Sequence, residues 1–242
     1  MNKGIKIAIP FLLLSVCLPQ GAYPDTRQNT IDSLRQLIPQ RTGVEKTDLL
    51  NLLSRQFWQI NPDSSLKYAT QALENAQKIN NQPSISDACN RVGNAYYFLG
   101  DTTKALEYYK RSLKIRKELD DASRLFQIYN NLGVYYINNG QPEKALNNYR
   151  KAYQVSRDAQ LPENTASSLS ALASYYEQTN DYEKAIEHYL ESIEKYKSIE
   201  DTVQMASTYI DLGRIHRNIS SYDKALRYYL QAIRFLKQGN NK

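Results

Sequence analysis

From residue 46 onward, apolar and small residues recur every three or four places, the period of an amphipathic helix, and that pattern is itself repeated along the chain. The segment LNLLSRQFWQINPDSSLKYATQALEN from Leu50 aligns with NRVGNAYYFLGDTTKALEYYKRSLKI from Asn90 and NNLGVYYINNGQPEKALNNYRKAY from Asn130. It aligns equally with SALASYYEQTNDYEKAIEHYLESIEK from Ser170 and IDLGRIHRNISSYDKALRYYLQAIRF from Ile210. The starts lie forty residues apart, and no gap is needed.

The repeated columns predict a helical hairpin in each unit. Leu53, Gly93, Gly133, Ala173 and Gly213 form one column, and Ser65, Ala105, Ala145, Ala185 and Ala225 form another twelve residues later. Small residues at two such places let antiparallel helices approach closely where large side chains would hold them apart. Gly100-Asp101, Asn139-Gly140 and Asn180-Asp181 supply turn residues at the tip. DYEKA, SYDKA and QPEKA then open the second helix with acids near its positive end. Upstream, residues 23–45 contain TIDSLRQLI, with Ile31, Leu34, Leu37 and Ile38 at helical spacing and Pro39 as a stop, which predicts a helical cap on the first repeat.

The small-residue columns, the turn and the recurring KAL-x-x-Y resemble tetratricopeptide repeats, five of them, starting near 46, 86, 126, 166 and 206 within residues 46–242. The forty-residue period exceeds the usual ~34 and is similar to that of the longer-repeat branch containing kinesin light chains. The resemblance implies an all-α, right-handed α-solenoid with the first helices of the repeats lining a concave groove.

Composition adds detail. Twenty tyrosines against five phenylalanines and one tryptophan suit a stack in which rings pack inward and hydroxyls stay wet. The first residues, MNKGIKIAIPFLLLSVCLPQGAYP, show a basic start at Lys3 and Lys6, a short apolar run from Ile7 to Leu18 and small residues at Gly21 and Ala22, as in a secretory signal peptide over residues 1–22. Leu14-Ser15-Val16-Cys17 faintly resembles a bacterial lipoprotein acylation site, although Val16 stands where that pattern has a small residue. Removing the leader takes away Lys3 and Lys6 and lowers the net charge from +6 to +4. No Lys/Arg run or basic aromatic strip suggests nucleic acid. Cleavage also leaves Cys89 as the only thiol, so an internal disulfide is ruled out in the mature chain. The expected location is the periplasm or cell envelope.

Enzymatic readings find little support. His188 and His216 fall in different repeats, and HExxH, CxxC and glycine-rich phosphate loops are absent, so neither catalytic residues nor a metal or cofactor site is expected. Binding residues are expected on the first-helix face that the resemblance turns into the groove. That face carries Asn51 and Ser54, then Asn90, Arg91 and Asn94, then Asn130 and Asn131, and finally Arg214 and Arg217. An amide offers two donors and an acceptor, enough to pair with the backbone of an extended peptide. Arginines there favour acidic groups. The clamp by which some tetratricopeptide domains hold chaperone C-termini is incomplete: Asn94 and Asn131 match it, but Asn90 and Ser167 stand at the lysine places and Ala171 at the arginine place.

The last helix, DKALRYYLQAIRFLKQ, spreads apolar residues around most of its circumference, which predicts an interaction face of Leu226, Tyr229, Leu230, Ile233 and Leu236 and self-association through it. The leader, the longer repeats and motifs such as KYATQALENAQKIN resemble the extracytoplasmic sensor regions of bacterial signalling proteins, notably from Bacteroidetes. That resemblance implies an exported, non-catalytic module that binds a protein or peptide and works with a membrane-bound kinase or regulator. The alternative is a structural scaffold or assembly factor for an envelope complex.

Overall fold

A computed structural model describes residues 24–239; the leader and Cys17 lie outside the described residues. Among the described residues all regular structure is helical. Helix α1 (Pro24–Leu37) and a short 3-10 turn (Ile38–Gln40) precede α2 (Gly43–Phe57), α3 (Pro62–Lys78), α4 (Gln82–Leu99), α5 (Thr102–Glu118) and α6 (Ala122–Asn138). Then follow α7 (Pro142–Asp158), α8 (Pro162–Gln178), α9 (Tyr182–Ser198), α10 (Thr202–Asn218) and α11 (Tyr222–Gly239). The chain forms an all-α solenoid of helical hairpins divided into two compact units, one ending at Tyr135 and the other beginning at Tyr136.

Local chemistry starts and stops these helices. Asn61, Asn81, Asp101, Asp181 and Asp201 each accept a hydrogen bond from the backbone N–H three residues on, capping α3, α4, α5, α9 and α10. The chain reverses at left-handed residues spaced by twenty: Asn80, Gly100, Asp120, Gly140, Gln160, Asn180, Glu200 and Ser220. Only two of the eight are glycine, although a side chain in this conformation costs roughly 1 to 2 kcal/mol. The pairs Asp120-Asp121 and Glu200-Asp201 thus divide their work: the first residue turns the chain, and the second accepts a backbone N–H at the next helix start.

Close helix contact follows from the small-residue columns. In the unit ending at Tyr135, a Cβ on Gly93 in α4 would lie 2.7 Å from the Tyr109 ring of α5. In the other unit a Cβ on Gly213 in α10 would lie 2.5 Å from the Tyr229 ring of α11. The partner column, Ala105, Ala145, Ala185 and Ala225, is buried throughout. Paired serines add a polar seam: Ser54 with Ser65 at 3.0 Å and Ser86 with Ser112 at 2.9 Å in the first unit, and Ser170 with Ser192 at 2.7 Å in the second. Cys89 is fully buried, and burial pushes its thiol up to about 11, so it is inert.

Helix α1 places Ile31 and Leu34 against Leu53 and Phe57, with Phe57 stacked on Tyr68 at 5.6 Å. Leu37, expected in that contact, is exposed, because α1 ends there and the chain tightens into the 3-10 turn containing Pro39.

Candidate binding face

Equivalent residues of the repeats stand forty apart, so Asn51, Arg91 and Asn131 occupy the same place on α2, α4 and α6. In the unit ending at Tyr135, Asn131 Nδ2 donates to Asn90 Oδ1 at 2.8 Å, which ties the amide of α6 to that of α4. Asn94 Oδ1 accepts the Tyr109 hydroxyl at 2.8 Å. Two amides have capacity left over: Asn51 Oδ1 and Asn130 Oδ1 are buried without a hydrogen-bond partner among the described residues. An unfilled buried acceptor costs about 1 to 3 kcal/mol, so the fold alone gives no reason for these amides.

Arg91 is half-buried and forms no ion pair among the described residues. Burial and the neighbouring Arg55 guanidinium lower its pKa, against a weaker pull from Asp87. By contrast, Arg116, fully buried in the same unit, donates to Asp121 at 2.7 Å and to Asp87, while Arg124 reaches both carboxylates at 3.3 and 3.0 Å. Two cations there meet two anions, and the network holds helices together.

Ser54 stands apart from the other residues expected on this face. It is almost fully buried and donates to Ser65 O at 2.9 Å, so it belongs to the seam between α2 and α3. No repeat of serine announced this role: the places equivalent to Ser54 hold Asn94, Val134, Ser174 and Arg214, and those equivalent to Ser65 hold alanine.

In the unit beginning at Tyr136, Arg214 is committed elsewhere than to an incoming anion. Its Nη2 donates to Glu177 Oε2 at 2.9 Å and to Asp211 Oδ1 at 2.7 Å. Asp211 holds the place on α10 that Asn131 holds on α6. Arginine alone therefore misleads here, since its carboxylate neighbours outnumber it. Arg217 is exposed one turn further on. Burial pushes the Asp211 carboxyl up to about 7, with Arg214 opposing the rise and Glu177 adding to it.

On the C-terminal face, Leu226 is 59% exposed, Leu230 55% and Ile233 48%. Tyr229 is only half-buried but lays its ring over Gly213, and Leu236 is also half-buried.

Comparison with known proteins bears on the repeat fold. The family described as tetratricopeptide repeat matches residues 57–118 and 124–198, and a second model of the same description matches 205–240. No curated protein matches the chain in sequence. Among solved structures, the chain is similar to BtubC (BKLC) from P. vanneervenii, at 18% identity and a TM-score of 0.67, covering 90% of this chain and 91% of that one. It is similar also to a Rap protein complexed with Competence and Sporulation Factor, at 16% identity and a TM-score of 0.68, covering 89% and 72%. A third is a signal transduction ATPase (STAND) with a tetratricopeptide repeat sensor from Pyrococcus horikoshii, at 16% identity and a TM-score of 0.62, covering 86% of this chain and 36% of that one. At these identities the likeness concerns the fold. The two repeat matches together span well over half the sequence, and the chain belongs to the tetratricopeptide repeat family.

Proposed function

We propose that this protein is a non-catalytic binding module that holds an extended peptide or protein segment on its first-helix face, as the exported sensor or adaptor part of a bacterial signalling system. The observation that carries the binding reading is the set of amides on α2, α4 and α6. Asn90 and Asn131 join neighbouring helices, while Asn51 and Asn130 keep buried oxygens that the described residues leave unfilled. Peptide N–H groups supply the missing donors without regard to side chain. The unpaired Arg91 adds a preference for an acidic group.

Two relatives in fold support the signalling part: one was solved with Competence and Sporulation Factor, and the other carries a repeat sensor on a signalling ATPase. Export rests on the leader-like first 22 residues.

The test is selection of linear peptides from a displayed random library, followed by affinity measurement on the wild type and on Asn90→Ala/Asn131→Ala. This double variant removes both partners of one hydrogen bond and should fold normally. Asn94→Ala is a poorer choice because it orphans the buried Tyr109 hydroxyl.

A scaffold role in an envelope assembly, with self-association, is favoured by the C-terminal face. Ile233 and Leu236 stand forty residues after Ile193 and Tyr196, which are buried in the cluster that includes Met205 and Leu212 of the following helix. Helix α11 thus offers a surface of the kind that a further helix covers elsewhere in the same unit.

A further inference from the structure

We infer that Glu177, Asp211 and Arg214 form a subsite for a basic side chain, a lysine ammonium or an arginine guanidinium, of the peptide or protein segment that the repeats bind. The inference rests on the binding reading above and assigns a charge preference to the unit beginning at Tyr136.

Charge and hydrogen bonding here are both one partner short. Two carboxylates share a single guanidinium, and both are served by its Nη2, at 2.9 and 2.7 Å. Asp211 is 7% exposed, and its Oδ2 is buried with no partner among the described residues. The planar fork of the guanidinium therefore engages neither carboxylate with two parallel bonds, the arrangement that would stabilise it most. A structural ion network has no reason to be left this way. On the carboxylate side the Arg116–Arg124 network with Asp87 and Asp121 shows the balanced form, every carboxylate oxygen accepting a hydrogen bond, although Arg116 Nε is buried and unpartnered just as Arg214 Nε is.

A second cation completes the site. It lies between Glu177 and Asp211, takes Asp211 Oδ2, and lets Arg214, whose side chain is 41% exposed, swing toward solvent. Tyr189 closes the inner side, its hydroxyl 3.4 Å from Glu177 Oε2. A divalent metal suits the site poorly: the described residues bring no third acidic, histidine or cysteine ligand to it, and a guanidinium already stands between the carboxylates. Burial raises the Asp211 pKa, and the single Arg214 guanidinium only partly opposes the rise while Glu177 adds to it.

The probe is an array of acetylated, amidated octapeptides in uncharged random backgrounds, with lysine, norleucine or glutamate at one scanned position. The full chain is applied as wild type, Asp211→Asn, Glu177→Gln and Arg214→Gln, each verified as helical with a cooperative melt. The expected result at pH 8 is at least tenfold greater retention of lysine over norleucine at one position by the wild type. Asp211→Asn and Glu177→Gln should bring that ratio close to one while holding norleucine peptides unchanged, and Arg214→Gln should raise it. Peptides held without lysine preference, or with the same preference in Asp211→Asn and Glu177→Gln, overturn the subsite alone. Failure of the wild type to hold any peptide overturns the binding reading together with it.

Discussion

Asp211 receives the Arg214 guanidinium at 2.7 Å on one carboxylate oxygen, while its other oxygen is buried with no partner among the described residues. This asymmetry makes the pair a source of tension in the free protein. Glu177 on α8, Tyr189 on α9, Arg214 on α10 and Tyr229 on α11 are the titratable groups around it.

Because the folded Asp211 pKa of about 7 lies above the ordinary carboxylate value, the native chain binds this proton more tightly than the unfolded chain. The stability tied to that proton is complete below pH ~4 and is lost as pH rises through 7. Asp211→Asn should therefore be more stable than wild type at pH 8 by on the order of 2 kcal/mol, the gap closing toward pH 5. Urea denaturation across pH checks this, and a variant less stable than wild type at pH 8 would show that the pair is a net structural asset.

Gly213→Ala should lower stability by about 1 to 3 kcal/mol, because the new methyl meets the body of the Tyr229 ring and not a flexible chain end. Gly93→Ala, against Tyr109, should behave alike. Thermal unfolding measures both, and unchanged melting would mean that the helices have room to separate.

At Gln160, exposed and left-handed with φ of 54°, replacement by glycine removes the clash between side chain and backbone. Even after the added freedom of the unfolded chain, Gln160→Gly should raise stability by about 0.5 to 1 kcal/mol. Loss of stability in the same denaturation assay would show that the glutamine side chain contributes more than its backbone strain.

Much of the fold was legible because its causes are local. Gly93 and Ala105 announced close helix contact by size alone, and Gly100-Asp101 announced a turn. The turns at Gln160, Glu200 and Ser220 were not legible by residue type: there the packing of two long helices imposes the left-handed conformation on side chains that would otherwise avoid it. On the candidate face, the amides were found from periodicity. The state of Arg214 was not, since Glu177 lies thirty-seven residues away on another helix and only folding brings the two together.

Leu226→Glu/Leu230→Glu should leave the fold intact, as both side chains are more than half exposed. Light scattering at high concentration is expected to show association of the wild type and a monomer for the variant. Identical masses would count against a role for this face in self-association.

The binding account is tested most directly by the affinity of one library-selected linear peptide for the wild type and for Asn90→Ala/Asn131→Ala of matched thermal stability. The account predicts at least tenfold weaker binding by the variant, about 1.4 kcal/mol, from loss of the amide capacity that Asn90 and Asn131 retain beyond their mutual hydrogen bond and offer to the peptide backbone. Equal affinity for the two proteins would contradict it and move the function off the first-helix face.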